Sequence, residues 1–430
     1  LSFESWLEAT TYSRKKKIQL TAINRAYACG RKVFDANTLI VKCFIKNEAY
    51  PTYKYPRAIL ARTDDFKVLM GPVFKVIENH LFSMKSESGY NYFIKKIPVP
   101  KRAAYILDVL GLEVGYSDLN TKDQYLRRYV VTDYSSFESS FTKDIMEACE
   151  FQFYKKCLID LPDGRGYLDM MGHLMKINRC FFNEWKFTIR ARRMSGEMNT
   201  SLGNGFSNLM LTKFVLSSIG ARDVRLLVEG DDCIVTYIGP MFTPELVNSL
   251  GFKLKFVFIR SPNYASFCGQ IFDLAHLVVV CDPIKVILNF AWTNMKYFKS
   301  SNAIKMGLVR SKALSLIYQY SGCPIVQSFA RAMLRCSEGF QPVVDQTIDA
   351  YHRWLYIESL NIIPNYKPVQ MSTRQIVEEV YGISIVHQQT IEKYFDTFQF
   401  GPIRSNIIAQ YCHDDQIHYF ENYVFFANCL

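Results

Sequence analysis

The sequence has no apolar run of the roughly 18 residues that a membrane-spanning helix needs. Its longest apolar stretch, near His276–Cys281, is far shorter. No Cys-x-x-Cys pair occurs among the 12 cysteines, which are scattered singly from Cys29 to Cys429, and no histidine spacing beside them would hold zinc. That spread suits reduced, buried thiols in a cytosolic protein rather than a disulfide framework. Charge is sparse as well: charged residues are 21% of the chain, against 49% hydrophobic and 15% aromatic. A chain so composed can bury a large core, which excludes intrinsic disorder, collagen, coiled coil and mucin-like stalks. There is no internal repeat and no low-complexity tract. A secretory signal is missing, and the chain opens at Leu1 rather than Met, so a fragment or processed product is expected.

What is present is enzyme-sized. The 430 residues, at roughly 150 per domain, correspond to about three domains or one large lobed enzyme. Fifty-one basic side chains against 40 acidic leave +11, and residues 1–67 hold 13 Lys/Arg against 6 Asp/Glu. An excess gathered at one end suggests a polyanionic partner, with nucleic acid the usual one. A merely solvated basic face is the alternative reading. The densest run is Arg14-Lys15-Lys16-Lys17.

Local patterns predict an α+β chain. Residues 1–28 read as helical, interrupted by that basic run, and residues 37–48 read as a strand ending in Lys46-Asn47-Glu48. A Pro- and Tyr-punctuated loop leads to Pro56-Arg57-Ala58-Ile59-Leu60. A second strand is expected at Tyr129–Thr132, ending on Asp133. Ile145, Cys149, Phe153 and Cys157 then mark one face of an amphipathic helix. Residues 161–166, Leu-Pro-Asp-Gly-Arg-Gly, read as a turn-rich excursion. A helix is expected over 200–219, then a hairpin of Leu226–Glu229 and Cys233–Thr236 joined through Gly230-Asp231-Asp232. Beyond about residue 285 the pattern is mostly helical.

The hairpin carries the first chemical signal. Two acidic residues at a tight turn between apolar strands gain nothing from the core, and a turn alone needs only Asn-Gly or Asp-Gly. Paired carboxylates on a rigid scaffold suit oxygen-seeking cations such as Mg²⁺. Two such ions about 3.5–4 Å apart, sharing a third carboxylate, clamp the attacking and leaving oxygens of phosphoryl transfer. Gly-Asp-Asp alone is weak, since Asp64-Asp65 and Asp414-Asp415 are similar pairs in this chain. The cluster His413-Asp414-Asp415 with His418 reads as a surface loop ahead of a metal site. Asp133, at a strand end before a helix, is the candidate third carboxylate, or else a helix N-cap. Glu138 follows five residues later. In Ser195-Gly196-Glu197-Met198-Asn199-Thr200-Ser201-Leu202-Gly203-Asn204, helical spacing puts Thr200, Asn204 and Asn208 on one polar stripe. Gly203 and Gly205 weaken such a helix by about 1 kcal/mol each, which suggests that another backbone or a substrate passes close. A hydrogen-bonded buried stripe is the plain alternative.

In chain order these segments resemble the RNA-dependent RNA polymerases of positive-strand RNA viruses, specifically the tombusvirus-like and flavivirus-like group. Lys46-Asn47-Glu48 through Lys54-Tyr55-Pro56-Arg57-Ala58-Ile59 is similar to the basic fingers motif facing the triphosphate. Asp133 to Glu138 resembles the first catalytic palm motif, and Ser195, Gly196, Thr200 and Asn204 fit the ribose-sensing motif. Val228–Cys233 resembles the catalytic hairpin, Leu250–Lys255 the fourth palm motif and Ser266-Phe267-Cys268-Gly269-Gln270 the primer-grip turn. Lys312–Ser315 to Cys323–Ile325 resembles a thumb segment, so the likeness covers about residues 42–335. There is one departure: the family usually has Asp where Glu138 stands.

The resemblance implies a right-hand polymerase, with fingers at 1–127 and 159–190, palm at 128–158 and 191–285, and a thumb with the C-terminal segment at 286–430. It implies template-directed RNA synthesis from NTPs, with two Mg²⁺ ions, or Mn²⁺ in their place, held by Asp133, Asp231 and Asp232. Lys46, Lys54, Arg57, Glu138, Ser195, Thr200 and Asn204 would bind the NTP. Lys15, Lys16, Lys17, Phe267 and Cys268 would contact RNA, and Lys253 or Lys255 would protonate pyrophosphate. Implied partners are template and nascent RNA and other viral replication proteins. The implied setting is the host cytoplasm, at membrane-associated replication complexes reached through segments or partners outside this chain. A reverse transcriptase and a catalytically silent RNA-binding scaffold are the rival readings.

Overall fold

A computed structural model describes residues 1–46, 55–113, 127–290, 292–348 and 350–412. Asn47, Glu48, Lys54 and the His413–His418 cluster lie outside them. The described residues fall into two compact units, one of 1–46, 55–96 and 127–258, the other of 97–113 and 259–412. The strands in chain order are β1 Val41–Ile45, β2 Ala58–Arg62, β3 Arg127–Tyr134, β4 Ile177–Phe182, β5 Trp185–Arg190, β6 Arg222–Glu229, β7 Asp232–Ile238, β8 Leu254–Ile259, β9 Ile271–Asp273 and β10 Val278–Val280. They form sheets ordered β2-β1-β4-β5, β6-β7-β3-β8 and β10-β9. With helices throughout, this is the expected mixed α+β class.

The first unit is organised around β7. It pairs antiparallel with β6 on one side and β3 on the other. Cys233, Ile234, Val235, Thr236 and Tyr237 are consequently all buried, which is why this strand reads as a continuous apolar run without alternation. The helix Thr200–Ser218 packs against β6, β7 and the helices Asp64–Leu81 and Glu150–Leu158. Residues 202–209 of it are buried on every side. Phe66, Phe74, Phe93, Phe137, Tyr154 and Phe252 belong to one core cluster. The second unit has its own core, including Val280, Ile325, Phe329 and Phe395. It takes in β9 and β10. Among the described residues no helix is long and apolar enough to cross a membrane.

Several elements differ from their sequence reading, each for a local reason. The basic run does not interrupt a helix: the break lies at 9–13, and Arg14–Ala28 begins on Ser13, whose side chain accepts from the Lys16 amide. Cations in a first turn oppose the helix dipole, and here Lys16 pairs with Asp64 while Lys17 Nζ donates to the Glu8 carbonyl at 3.2 Å. The strand expected from residue 37 starts only at Val41. Asp35 Oδ1 accepts from the Asn37 and Thr38 amides at 2.9 and 3.0 Å and makes a turn there. The stripe Ile145, Cys149, Phe153, Cys157 does line the core, but across two helices, Lys143–Ala148 and Glu150–Leu158, broken at Cys149. Residues 161–163 turn, and Gly164 then opens the helix Gly164–Gly172.

The break at Cys149 sets Glu150 inside the unit. Its carboxylate meets Arg193 at 2.8 Å with both side chains 1% exposed, and it accepts from Tyr154 Oη at 3.0 Å. A second buried pair, Arg62 with Glu197 at 2.6 Å, ties β2 to the loop before the helix Thr200–Ser218. Gly203 is small because of the first pair. A Cβ there would lie 1.9 Å from Arg193 Nη1 and 2.1 Å from Glu150 Oε2. The close approach that the glycine signalled is thus an ion pair of the chain itself, not a substrate or a backbone. Removing one member of a buried pair costs about 3–5 kcal/mol. Gly203→Ala, which must force the two apart, is expected to destabilise by a comparable amount in urea unfolding, with Gly166→Ala, where a Cβ meets nothing within 4 Å, as the near-neutral control.

Candidate active site

The register of the central sheet assembles the carboxylates. Pairing of β3 with β7 runs to Thr132↔Cys233, so the next step along both strands brings Asp133 beside Asp232. β6 and β7 close as Glu229↔Asp232 around Gly230-Asp231, with Gly230 at φ +60°, a backbone shape that side chains resist. Asp232 is therefore the first residue of β7, and Asp231 stands alone at the turn. Ser136, also left-handed at φ +55°, turns the chain from β3 into the short helix Phe137–Ser140 and so swings Glu138 back toward the site. Beneath it, Tyr134 and Phe137 stack with centroids 4.3 Å apart, and Phe252 packs against both.

Residues far apart in sequence act on one another here. Burial pushes the Asp231 carboxyl above the usual carboxylate range, and the charges of Glu138 and Asp133 push it further. The Arg57 guanidinium pulls the other way. Asp133 is exposed, and its Oδ1 accepts from the Tyr134 amide at 2.7 Å. Among the described residues, no three Asp, Glu, His or Cys side chains already converge as a cation cage. The donor set nevertheless fits a hard divalent cation, since it is made of carboxylate oxygens whose mutual repulsion a cation would relieve.

The polar stripe faces this site. Asn204, 4% exposed, donates from Nδ2 to Glu138 Oε1 at 3.0 Å, while its Oδ1 is buried with no hydrogen-bond partner. The amide has to present its NH₂ to the carboxylate, because two acceptors would repel. Lys46 and Arg57 stand together at the ends of β1 and β2, with the Lys46 amide donating to the Arg57 carbonyl at 2.9 Å, and both are exposed.

Ser195 and Thr200 are placed differently. Ser195 Oγ accepts from the Leu60 amide at 3.4 Å and donates to the Ala58 carbonyl at 3.2 Å. Thr200 Oγ1 donates to the Met194 and Glu197 carbonyls at 2.8 and 2.9 Å. Both hydroxyls pin the 194–200 loop, and Gly196 completes the join by donating its amide to the Leu60 carbonyl at 2.9 Å. In the second unit, Cys268 and Gly269 make a tight turn between Phe267 and Gln270 with φ of +55° and +68°. Phe267 itself is 1% exposed, so contact from this turn falls to the half-buried Cys268. Lys15 is exposed, whereas Lys16 and Lys17 have the partners already described. Sequence reasoning missed the Arg193–Glu150 and Arg62–Glu197 pairs that seat the loop. It also left Asn208 without a role, although the helical spacing had placed that residue on the stripe.

The chain is similar to known proteins. A family model described as viral RNA dependent RNA polymerase matches residues 7–239. The RNA-directed RNA polymerase of oat chlorotic stunt virus is 26% identical across 93% of this chain and 54% of its own length. That of Panicum mosaic virus is 23% identical across 89% of this chain and 38% of its own. That of Atlantic halibut nervous necrosis virus is 25% identical across 56% and 23%. The chain thus spans between about a quarter and about half the length of these relatives.

Asp231 offers a test that needs no substrate. Its folded-state carboxyl binds protons more readily than the unfolded one, so its ionisation opposes folding above the unfolded value and has no effect below it. Asp231→Asn should therefore raise the melting temperature at neutral pH, with the gain disappearing as pH falls to about 4, near the free Asp value. Millimolar Mg²⁺ should stabilise the wild type and not the variant. Equal melting of the two proteins at pH 7 would contradict the repulsion.

Proposed function

Because the chain belongs to the viral RNA-dependent RNA polymerase family, we propose that it carries out template-directed RNA synthesis, transferring nucleotides from NTPs to the 3′ end of a growing RNA strand. The observation that carries the reading is the convergence of Asp133, Glu138 and Asp231 with Arg57, beside Asn204. Members of this family use divalent metal ions, and Asp133, Asp231 and Asp232 would hold two Mg²⁺, for which Mn²⁺ would substitute. When bound, these ions would favour deprotonation of the attacking 3′-hydroxyl and neutralise the departing pyrophosphate. Arg57 and Lys46, with Lys54, would orient the triphosphate and offset its charge. Of the two lysines after β7, Lys253 has its carbonyl bound to the Ser135 amide, two residues past Asp133. Lys253 or Lys255 would protonate the departing pyrophosphate.

On this reading the sheet β6-β7-β3-β8 with its helices is the palm, the basic 1–127 segment and 159–190 are fingers, and the helical segment from 286 is the thumb. Template and nascent RNA would be held through their phosphates, since base pairing and not the protein chooses the sequence. Lys15, Lys16, Lys17 and Cys268 are the proposed RNA contacts, with Lys15 the most open of the three lysines. The setting would be the host cytoplasm, with other viral replication proteins as partners and membrane attachment supplied from outside this chain.

The direct assay is incorporation of labelled rNTPs on a simple RNA template with and without Mg²⁺. Wild type should be active only with the cation. Asp133→Ala and Asp231→Ala should abolish synthesis while keeping the fold and RNA binding, and a mutant near the wild-type rate would refute the site. Sugar choice gives a second test. A hydroxyl pairs with the unpartnered Asn204 Oδ1 and the Glu138 carboxylate, and an analogue lacking it leaves them unpaired. Asn204→Ala should therefore lose roughly 1–3 kcal/mol, or about 5- to 150-fold, of rNTP-over-dNTP discrimination, mainly through slower rNTP use. Glu138→Asp should stay active, because the charge remains. The readout is kcat/KM for a matched rNTP and dNTP, and unchanged discrimination in Asn204→Ala would make the pair structural only.

A further inference from the structure

Asn208 touches neither carboxylate nor solvent, yet its position is tied to the catalytic turn. It is 0% exposed, on the same stripe as Asn204, one turn further along the helix Thr200–Ser218. Its Nδ2 donates to the Gly230 carbonyl at 3.1 Å and to the Asp232 carbonyl at 3.2 Å. These are the backbone groups on either side of Asp231. Its Oδ1 accepts from Thr212 Oγ1 at 3.3 Å, which fixes which way the amide faces. Thr212 is buried too and lies against the Cys233 thiol, as does Thr132 of β3.

We propose that Asn208 is a positioning residue: a clamp that fixes the Gly230-Asp231-Asp232 backbone so that the Asp231 carboxylate is held toward Asp133 and Glu138 before any cation arrives. This rests on the polymerase reading of the site. A two-residue turn through a left-handed glycine is a natural hinge, and carboxylates of like charge gathered at one strand end favour its opening. An amide has two N–H donors, enough to hold both carbonyls at once, and a hydroxyl has one. Packing alone does not demand an asparagine, because a carbonyl at a hairpin tip can turn outward to water. What the amide supplies is direction. Outer partners of this kind commonly hold metal-binding side chains in their working orientation.

The test compares Asn208→Asp, which keeps the shape but removes the donors and faces two carbonyls with acceptors, with Thr212→Val, which keeps the fold of the helix and removes the hydroxyl that orients the amide. Three measurements are made on each full chain. Amide hydrogen exchange without cation should quicken at residues 230–233 in Asn208→Asp and leave the rest of the sheet unchanged. Calorimetric titration with Mn²⁺ alone should show affinity weakened by about 10- to 100-fold in Asn208→Asp, the range typical of lost outer partners, and by less in Thr212→Val. In RNA synthesis, kcat should fall in the same order, while KM for the NTP stays within about twofold, since the clamp removes an interaction made toward the reacting centre. A general loss of structure would instead lower melting temperature and raise KM together. The clamp is overturned if Asn208→Asp is folded and has wild-type exchange at 230–233 and wild-type Mn²⁺ affinity. An inactive wild type that still shows the exchange and Mn²⁺ effects would count against the polymerase reading and leave the clamp standing.

Discussion

Asp133, Glu138 and Asp231 carry like charge within reach of one another, and burial makes the charge on Asp231 costlier still. Much of the first unit can be understood as the framework that holds this arrangement in place. Two β-ladders fix Asp133 and Asp232 by register, a left-handed serine returns Glu138, and Asn204 and Asn208 bind the surrounding groups from one helix face. None of these contacts neutralises the cluster. They hold its geometry.

That helix can do so because its other side is anchored in the interior. Arg193 with Glu150, and Arg62 with Glu197, are buried charges with opposite partners and further hydrogen bonds. Such pairs add little net stability over an apolar core of the same volume, but they are costly to break. They therefore suit a place where one loop conformation matters more than total stability. The 194–200 loop is where β2 and Thr200–Ser218 meet, and the Ser195 and Thr200 hydroxyls close it. The Ser195 and Thr200 hydroxyls, read from sequence as nucleotide contacts, hydrogen-bond to backbone here.

The sequence signals succeeded where the physics is local. Alternating and continuous apolar runs marked β3, β6 and β7, and the four-residue spacing of Thr200, Asn204 and Asn208 marked a stripe that the fold does use. They failed where a single residue ends an element. The Asp35 turn, the Ser13 cap and the Cys149 break each depend on one side chain or one backbone angle that periodicity does not register. The glycine at 203 was legible as a close approach but not as an approach by an ion pair. The residues of that pair are distant in the chain, and charged side chains are usually read as surface.

By itself, then, the chain determined the α+β class, the family, the acidic hairpin and the polar helix face, since each is written in neighbouring residues or short fixed spacings. Only the tertiary structure decided which carboxylates repel, that Arg57 acts on Asp231, that Phe267 is buried, and that Asn208 donates to the Gly230 and Asp232 carbonyls. Those outcomes depend on distances between segments as far apart in the chain as Arg57 and Asp231, and on the direction of single side chains. Strand register and helix packing set both, and no local pattern encodes them.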